Sequence, residues 1–371
     1  MASVRLENVT KTFGRKVAIK DVNLRCKDGE FLSIVGPAGA GKTTILKIVA
    51  GIEKPTSGTI YFDERAVNDL RPQARNVAMA FETYNLYSHF TVYENIAFPL
   101  TTPRARAELG PGEERHRVEE IAAFLGIQRF LDRKPVQLSG GEKQRVSLAR
   151  AMVRKAQVYL LDEPIAHLDA RLKFSTQKSL KRMSRNMGTA IIYVTHDYRE
   201  ALGLSDRVAV LNRGNIEQVG TSKEVFETPA TDFVARFIGD PPTNLIDVDV
   251  VEDGGSTYCE TKEFQIEIPS KQLEALKRVS VHKDGRHTVR MGIRSFHVRV
   301  SRTQKSQHAF QLPIYAIART PQGTLITIEL ENTFLMVSVE TKADYEMSEK
   351  VWLEFEPEHL LFFKKTIELS K

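Results

Sequence analysis

The run Phe31-Leu32-Ser33-Ile34-Val35, followed by Gly36-Pro37-Ala38-Gly39-Ala40-Gly41-Lys42-Thr43-Thr44, constrains this chain more than any other stretch. An apolar run of strand length breaks into a glycine-rich turn. It resumes as Ile45-Leu46-Lys47-Ile48-Val49-Ala50, which is apolar on one helical face. The spacing is G-x-x-x-x-G-K-T, in which glycines let backbone N–H groups turn inward around phosphate oxygens at a helix N-terminus. In that pattern Lys42 reaches the terminal phosphates and the Thr43 hydroxyl holds Mg²⁺. The strand before and the helix after supply the context that separates the motif from a chance glycine turn. Residues 36–44 therefore read as a nucleotide site.

The rest of residues 1–238 alternates strands with helices, which predicts a largely parallel sheet covered by helices. Val4–Val9, Val17–Ile19, Thr59–Phe62, Val77–Phe81, Val158–Leu161 and Ala190–Val194 read as strands. Arg207 to Val219 reads as a hairpin turning at Gly214-Asn215. From Glu82 to about Lys155 the texture is helical, giving a helical subdomain over about 83–155. Thr221-Ser222-Lys223-Glu224 has the form of a capping box opening a last helix pair that ends near Ile238. Gly239-Asp240-Pro241-Pro242-Thr243 reads as a linker. Beyond it, over 239–371, short strands dominate: Leu245–Val251, Phe264–Ile268, Thr288–Val300, Leu312–Ala318, Thr324–Leu330, Phe334–Val339 and Val351–Phe355, with one helix at Gln272–Arg278. That pattern suggests a small barrel or sandwich.

A phosphate-binding loop alone leaves kinases, GTPases and ATPases open. Val158–Leu161 ends in Asp162 and Glu163, about 120 residues after Lys42. The first carboxylate can hold the Mg²⁺ shell, and the second can orient or deprotonate an attacking water. Leu138-Ser139-Gly140-Gly141-Glu142 opens a helix with two glycines, a second anion cradle. One nucleotide needs one cradle. Two cradles per chain therefore point to a dimer in which each copy closes over its partner's nucleotide. His196 follows the strand Ala190–Val194, placed to contact the terminal phosphate, although a core or capping role suits a lone histidine too.

These motifs, in this order, resemble the ATP-binding cassette (ABC) family over residues 1 to about 238. By that resemblance Gly36–Thr43 is the Walker A loop and Asp162-Glu163 is Walker B with its catalytic glutamate. Leu138–Glu142 is the signature, Leu168-Asp169 the D-loop, and His196 the switch histidine. Phe13 falls where the family stacks an aromatic on adenine, with a buried core position the alternative. The resemblance implies ATP and Mg²⁺ as cofactors. Closer still, the stretch Tyr84 to Leu100, Phe237-Ile238-Gly239, Gly292-Ile293-Arg294 and Val351 to Glu358 resemble ATPase subunits of carbohydrate importers of the maltose-importer type. This implies an OB-like C-terminal domain for dimer contacts and regulation. It also implies a second ATPase subunit, two membrane-spanning permease subunits, and a substrate-binding protein that feeds them. The expected place is the cytoplasmic face of the bacterial plasma membrane, as a peripheral protein.

Three positions depart from the family pattern. Glu82 stands where the family has the Q-loop glutamine, which touches the Mg²⁺ shell; Glu142 replaces a glutamine, and Ala166 a D-loop serine. A carboxylate about 5 Å from a terminal phosphate costs about 3 kcal/mol at an effective dielectric of about 20, unless Glu82 ligates Mg²⁺ or is protonated. The changes read either as drift in a working ATPase or as the mark of a chain that pairs with a different ATPase subunit. The two cysteines, Cys26 and Cys259, have no metal or disulfide spacing, and no apolar run approaches the roughly 18 residues that span a bilayer. Lys143, Arg145, Arg150, Arg154 and Lys155 read as a solvated helix face rather than a nucleic-acid surface, with Arg145 bonding near the signature. A cassette switch acting away from membranes would carry a coiled-coil insertion or a second cassette. A small-molecule kinase would leave the signature and His196 without a role.

Overall fold

A computed structural model describes residues 2–107, 109–166, 168, 170–283, 286–320, 323–331, 333–340 and 344–365. The chain divides into two units, Met1–Ser222 and Lys223–Lys371. The first runs β1 (Val4–Phe13), β2 (Lys16–Cys26), β3 (Phe31–Val35), α1 (Lys42–Ala50), β4 (Ser57–Phe62), β5 (Arg65–Ala66), β6 (Val77–Ala80), α2 (Val92–Ala97), α3 (Pro103–Ala107), α4 (Glu113–Phe124), α5 (Gly140–Met152), β7 (Val158–Asp162), α6 (Ala170–Met187), β8 (Ala190–Thr195), α7 (Tyr198–Leu204), β9 (Arg207–Asn212) and β10 (Asn215–Gly220).

Its main sheet has the order β10-β9-β3-β8-β7-β6, parallel from β9 to β6 and closed at one edge by the antiparallel β10. The apolar runs of β3, β7 and β8 show no alternation because both faces are covered. Phe31, Tyr159, Leu161 and Tyr193 pack on the helical side with α2, α4 and α5. Leu32, Ile34, Leu160 and Ile192 pack on the other, against α1 and the antiparallel sheet β2-β1-β4-β5. Ile45, Leu46, Ile48 and Val49 of α1 are fully buried there, each side chain contributing about 1.5–3 kcal/mol.

The helical texture expected from Glu82 starts later. Residues 82–91 are irregular, with Tyr84 and Asn85 at positive φ. The first helix of this region waits for Thr91, whose hydroxyl accepts the Glu94 N–H while Glu94 caps the Thr91 N–H. Buried Asn95 holds the loop before it, accepting from the Tyr87 N–H and donating to the Tyr87, Phe90 and Thr91 carbonyls.

The second unit carries α8 (Ser222–Glu227), which opens at the division, α9 (Asp232–Phe237), β11 (Asn244–Asp253), β12 (Ser256–Glu260), β13 (Gln265–Glu267), α10 (Leu273–Val279), β14 (Val281–Lys283), β15 (Arg286–Ile293), β16 (Val298–Ser301), β17 (Phe310–Thr320), β18 (Gly323–Leu330), β19 (Thr333–Val339), β20 (Lys350–Phe355) and β21 (Leu361–Phe363). The strands form two antiparallel sheets, β13-β12-β11-β15-β14 with β21 on β15, and β16-β20-β17-β18-β19, which share one core.

Three details differ from the sequence reading. The division falls at 222/223 rather than 238/239, because α8 and α9 are tied into the β-rich unit. Arg290 bonds Asp232, and buried Arg294 donates to the Phe226 and Ile238 carbonyls. The same inward turn of Arg294 breaks the expected strand 288–300 into β15 and β16, separated by a 3₁₀ turn at Ser295–His297. Residues 239–243 are packed rather than loose: Thr243 is buried and donates to the Ala235 carbonyl at 2.6 Å.

Candidate active site

The carboxyl ends of β3, β8 and β7 lie level, with Val35 opposite Thr195 and Asp162 opposite Val194. Parallel sheets of this kind bind ligands in the crevice at those ends. Three neighbouring strands therefore deliver the phosphate loop, the carboxylate pair and His196 to one place.

The loop leaves β3 at Gly36, where a Cβ would sit 2.1 Å from the Leu211 carbonyl of β9. Gly41 closes it at φ +107°, where a Cβ would meet the Ala18 carbonyl at 2.5 Å. Only glycine fits at either position. Gly41 is also the N-cap of α1 and brings no side-chain hydrogen bond, so the first helical amides are left for an anion. Pro37 and Thr44 are half-buried, Ala38 and Gly39 exposed, and Ala40 is anchored by the Gly214 N–H at 2.9 Å.

Lys42 is buried and donates to the Gly36 and Pro37 carbonyls, both at 2.9 Å, which centres its ammonium in the loop. Burial pulls its pKa below the ordinary value, against the opposite pull of Glu163, Asp162 and Glu82. The Thr43 hydroxyl donates to Asp162 Oδ1 at 3.1 Å. Burial pushes the Asp162 carboxyl up to about 6; Glu82 and Glu163 add to the rise, and Thr43 and Lys42 oppose it. Glu82 is exposed, yet its charge acts on both Lys42 and Asp162. This donor set (a hydroxyl, a carboxylate held beside it, and a further carboxylate in electrostatic range) suits a hard divalent cation.

Glu163 leaves β7 at φ +46°, its N–H on the Val194 carbonyl at 2.9 Å and its own carbonyl accepting from Gln144 Nε2 at 2.8 Å. Its carboxylate Oε2 lies 2.8 Å from His196 Nδ1. The His196 ring is exposed, and so is not a core histidine.

Ser139 is the N-cap of α5: its Oγ accepts the Glu142 N–H at 3.4 Å, and Glu142 Oε2 accepts the Ser139 N–H at 2.8 Å. Burial raises the Glu142 carboxyl's pKa, but the Ser139 bonds outweigh it and hold the group below its usual range. Gly140 is exposed and Gly141 half-buried, so the cradle opens to solvent. Phe13 is 47% exposed, with Lys11 Nζ 4.7 Å above its ring, which excludes the core alternative. Asp169 lies outside the described residues.

The basic residues of α5 and the segment after it are not a solvated face throughout. Arg145 is buried and donates to the Leu125 and Gly126 carbonyls at the end of α4, while its charge acts on Glu142. Arg150 donates to the Asn85 and Tyr84 carbonyls at 2.7 and 2.9 Å, tying the segment after Glu82 to the signature helix. Sequence reasoning also missed Gln144 and Lys173, whose Nζ bonds Asp197 at 3.0 Å and Glu200 at 2.5 Å beside the strand end that carries His196. Polar residues standing inside the apolar stripe of a helix, as Gln144, Arg145 and Ser147 do, were the available signal.

The family model for ABC transporters matches residues 19–166. The chain is 46% identical over 282 residues to the trehalose/maltose import ATP-binding protein MalK of Thermococcus litoralis, covering 74% of each. It is 47% identical over 247 residues to the sn-glycerol-3-phosphate import ATP-binding protein UgpC of Brucella abortus, covering 66% of this chain and 69% of that one. A dimeric bacterial ABC transporter cassette superposes with a TM-score of 0.55 at 35% identity, covering 59% of this chain and 98% of the other. A post-hydrolysis cassette bound to ADP and phosphate superposes equally well. Among the described residues no helix is long and apolar enough to cross a membrane. With the loop, the carboxylate pair and His196 at the carboxyl ends of three neighbouring strands, and relatives this similar over most of their length, the chain belongs to the ABC transporter family as one of its nucleotide-binding ATPases.

Proposed function

We propose that this chain is the ATP-hydrolysing subunit of an importer for a sugar, polyol or sugar phosphate. It would dock at the cytoplasmic face of the plasma membrane on two permease subunits fed by a substrate-binding protein. The names of the trehalose/maltose and sn-glycerol-3-phosphate relatives support the solute class. In this reading the amides of residues 36–44 and Lys42 bind the phosphates, and Phe13 stacks on the adenine. Thr43, Asp162 and Glu82 hold Mg²⁺, which supplies charge neutralisation at the phosphates. Glu163 orients and deprotonates the attacking water. His196 keeps the Glu163 carboxylate aimed. Ser139, Gly140, Gly141 and Glu142, with Asp169, serve the nucleotide of the second ATPase subunit.

The observation that carries the reading is the Glu163–His196 contact of 2.8 Å beside the Thr43–Asp162 pair. Glu163→Gln keeps the shape and removes the base. It should leave ATP binding intact, trap ATP-bound dimers and reduce turnover by a factor of about 10²–10⁴. Full turnover by that variant would remove the assignment.

A second reading concerns the partner. Glu82 places an extra carboxylate near Lys42 and Asp162, where the family carries a neutral glutamine. A chain working opposite a different ATPase subunit accommodates that change most simply. Weak turnover by the purified chain, raised by Glu82→Gln, supports this reading. Robust turnover indifferent to the substitution sinks it.

A further inference from the structure

The second unit holds a side-chain cluster that the nucleotide chemistry does not use. β16 and β20 pair with Val298 opposite Phe355, and the Glu356 N–H extends the ladder by donating to the His297 carbonyl at 3.1 Å. That register sets His297 and Glu356 side by side, with Nδ1 of His297 2.8 Å from Oε2 of Glu356. The turn Pro357–His359 then folds back, the His359 N–H donating to the Glu356 carbonyl at 3.0 Å. It brings His359 Nε2 to 3.8 Å from the same Oε2. The two imidazoles stack at 3.6 Å and 12°. All three ligand atoms fall within 4.8 Å of one another.

Two imidazoles thus converge on one carboxylate oxygen. Arg299 occupies the other oxygen, Nη2 lying 2.8 Å from Oε1, which fixes the carboxylate as outer-shell partners do around ligands. The separations of 2.8 and 3.8 Å bracket the roughly 3.3 Å donor spacing of a tetrahedral ion with bonds of about 2.0–2.1 Å. The side chains of His297 and Glu356 are largely buried and held by the ladder. His359 is 47% exposed and is the ligand with room to rotate out of the stack and complete the geometry.

We propose that His297, Glu356 and His359 form a binding site for a borderline divalent transition cation, Zn²⁺ in preference to Mg²⁺ or Ca²⁺. Two imidazole nitrogens and one carboxylate suit zinc, whereas the hard cations take all-oxygen sets. The ion ties the turn before β16 to the turn after β20, with a fourth position left to water. The test is calorimetric titration of Zn²⁺ into the full chain, with Mg²⁺ and ADP saturating the nucleotide site. One Zn²⁺ per chain is expected, weakened at least about tenfold in His297→Ala and in His359→Ala. Co²⁺ should give visible d–d bands in the parent and lose them in both variants. Melting in EDTA identifies a variant that fails to fold; half-exposed His359 then remains the decisive position. ATP hydrolysis by the variants should stay at the parent's level. A parent that takes up no Zn²⁺ under these conditions, or variants that keep its affinity and its Co²⁺ spectrum, would overturn the site.

Discussion

Replacing Asp162 by Asn gives the sharpest test of the electrostatics at the site. Asp162 is 2% exposed, and burial is the main reason its carboxyl rises from 3.8 to about 6. A carboxyl that ionises later in the folded chain than in the unfolded one lowers stability as the pH climbs past the unfolded value. The loss is complete above the folded value. Here the window runs from 3.8 to about 6. At about 1.4 kcal/mol per pH unit the full loss is about 3 kcal/mol. Asp162→Asn removes the titration. Without nucleotide or divalent cation, the unfolding free energy of the variant minus that of the parent should therefore climb by about 2 kcal/mol between pH 4.5 and pH 7.5. The buried amide adds an offset of about 1–3 kcal/mol that does not depend on pH, so the slope carries the argument rather than the absolute difference. Urea unfolding followed by far-UV circular dichroism measures it. Tryptophan emission would report on the wrong unit, since the chain's one tryptophan, Trp352, lies in β20. A difference flat across this pH range would refute the account of Asp162 as a carboxylate held ionised against its burial.

Two further substitutions test the scaffold around the signature. Glu142→Gln keeps an acceptor for the Ser139 N–H and should leave stability and turnover close to the parent, whereas Glu142→Ala should cost about 1 kcal/mol in chemical denaturation. Arg150→Met removes the donors on the Tyr84 and Asn85 carbonyls, and about 1–3 kcal/mol of stability with them. Amide exchange over residues 82–91 should speed up in that variant, and unchanged protection there would mean that Arg150 does not hold the segment.

Much of the fold was legible because its pattern is local. The both-face apolar runs of β3, β7 and β8 and the glycine-rich loop that runs into α1 each announce themselves within a few residues. What failed was set by distant partners. Nothing near Arg294 says that its guanidinium will take the carbonyls of Phe226 and Ile238, yet that bond ends β15 and carries α8 and α9 into the second unit. β14 and β21, three residues each, are strands only because β15 lies beside them, and they carry no pattern of their own. Arg145 and Arg150 read as solvated because charge is the strongest local signal, while their acceptors lie 20 and 65 positions away.

The site follows the same division. The residue types were readable from spacing, since a phosphate loop and a strand ending in two carboxylates are contiguous motifs. The balance among them was not. Lys42 lies in the field of Glu163, Asp162 and Glu82 together, so three carboxylates act on this cation before any phosphate arrives. Such a place holds an anionic ligand only with further positive charge, which argues from the protein side for a divalent cation at Thr43 and Asp162. Burial is the main cause of the elevated Asp162 carboxyl, and the neighbouring charges of Glu82 and Glu163 add to the rise. Glu82 adds a further carboxylate where a glutamine would not, so on the proposed reading nucleotide affinity would depend more tightly on the cation. On that reading the departure from the family pattern is a change in the electrostatics of loading, made at a residue whose side chain faces solvent.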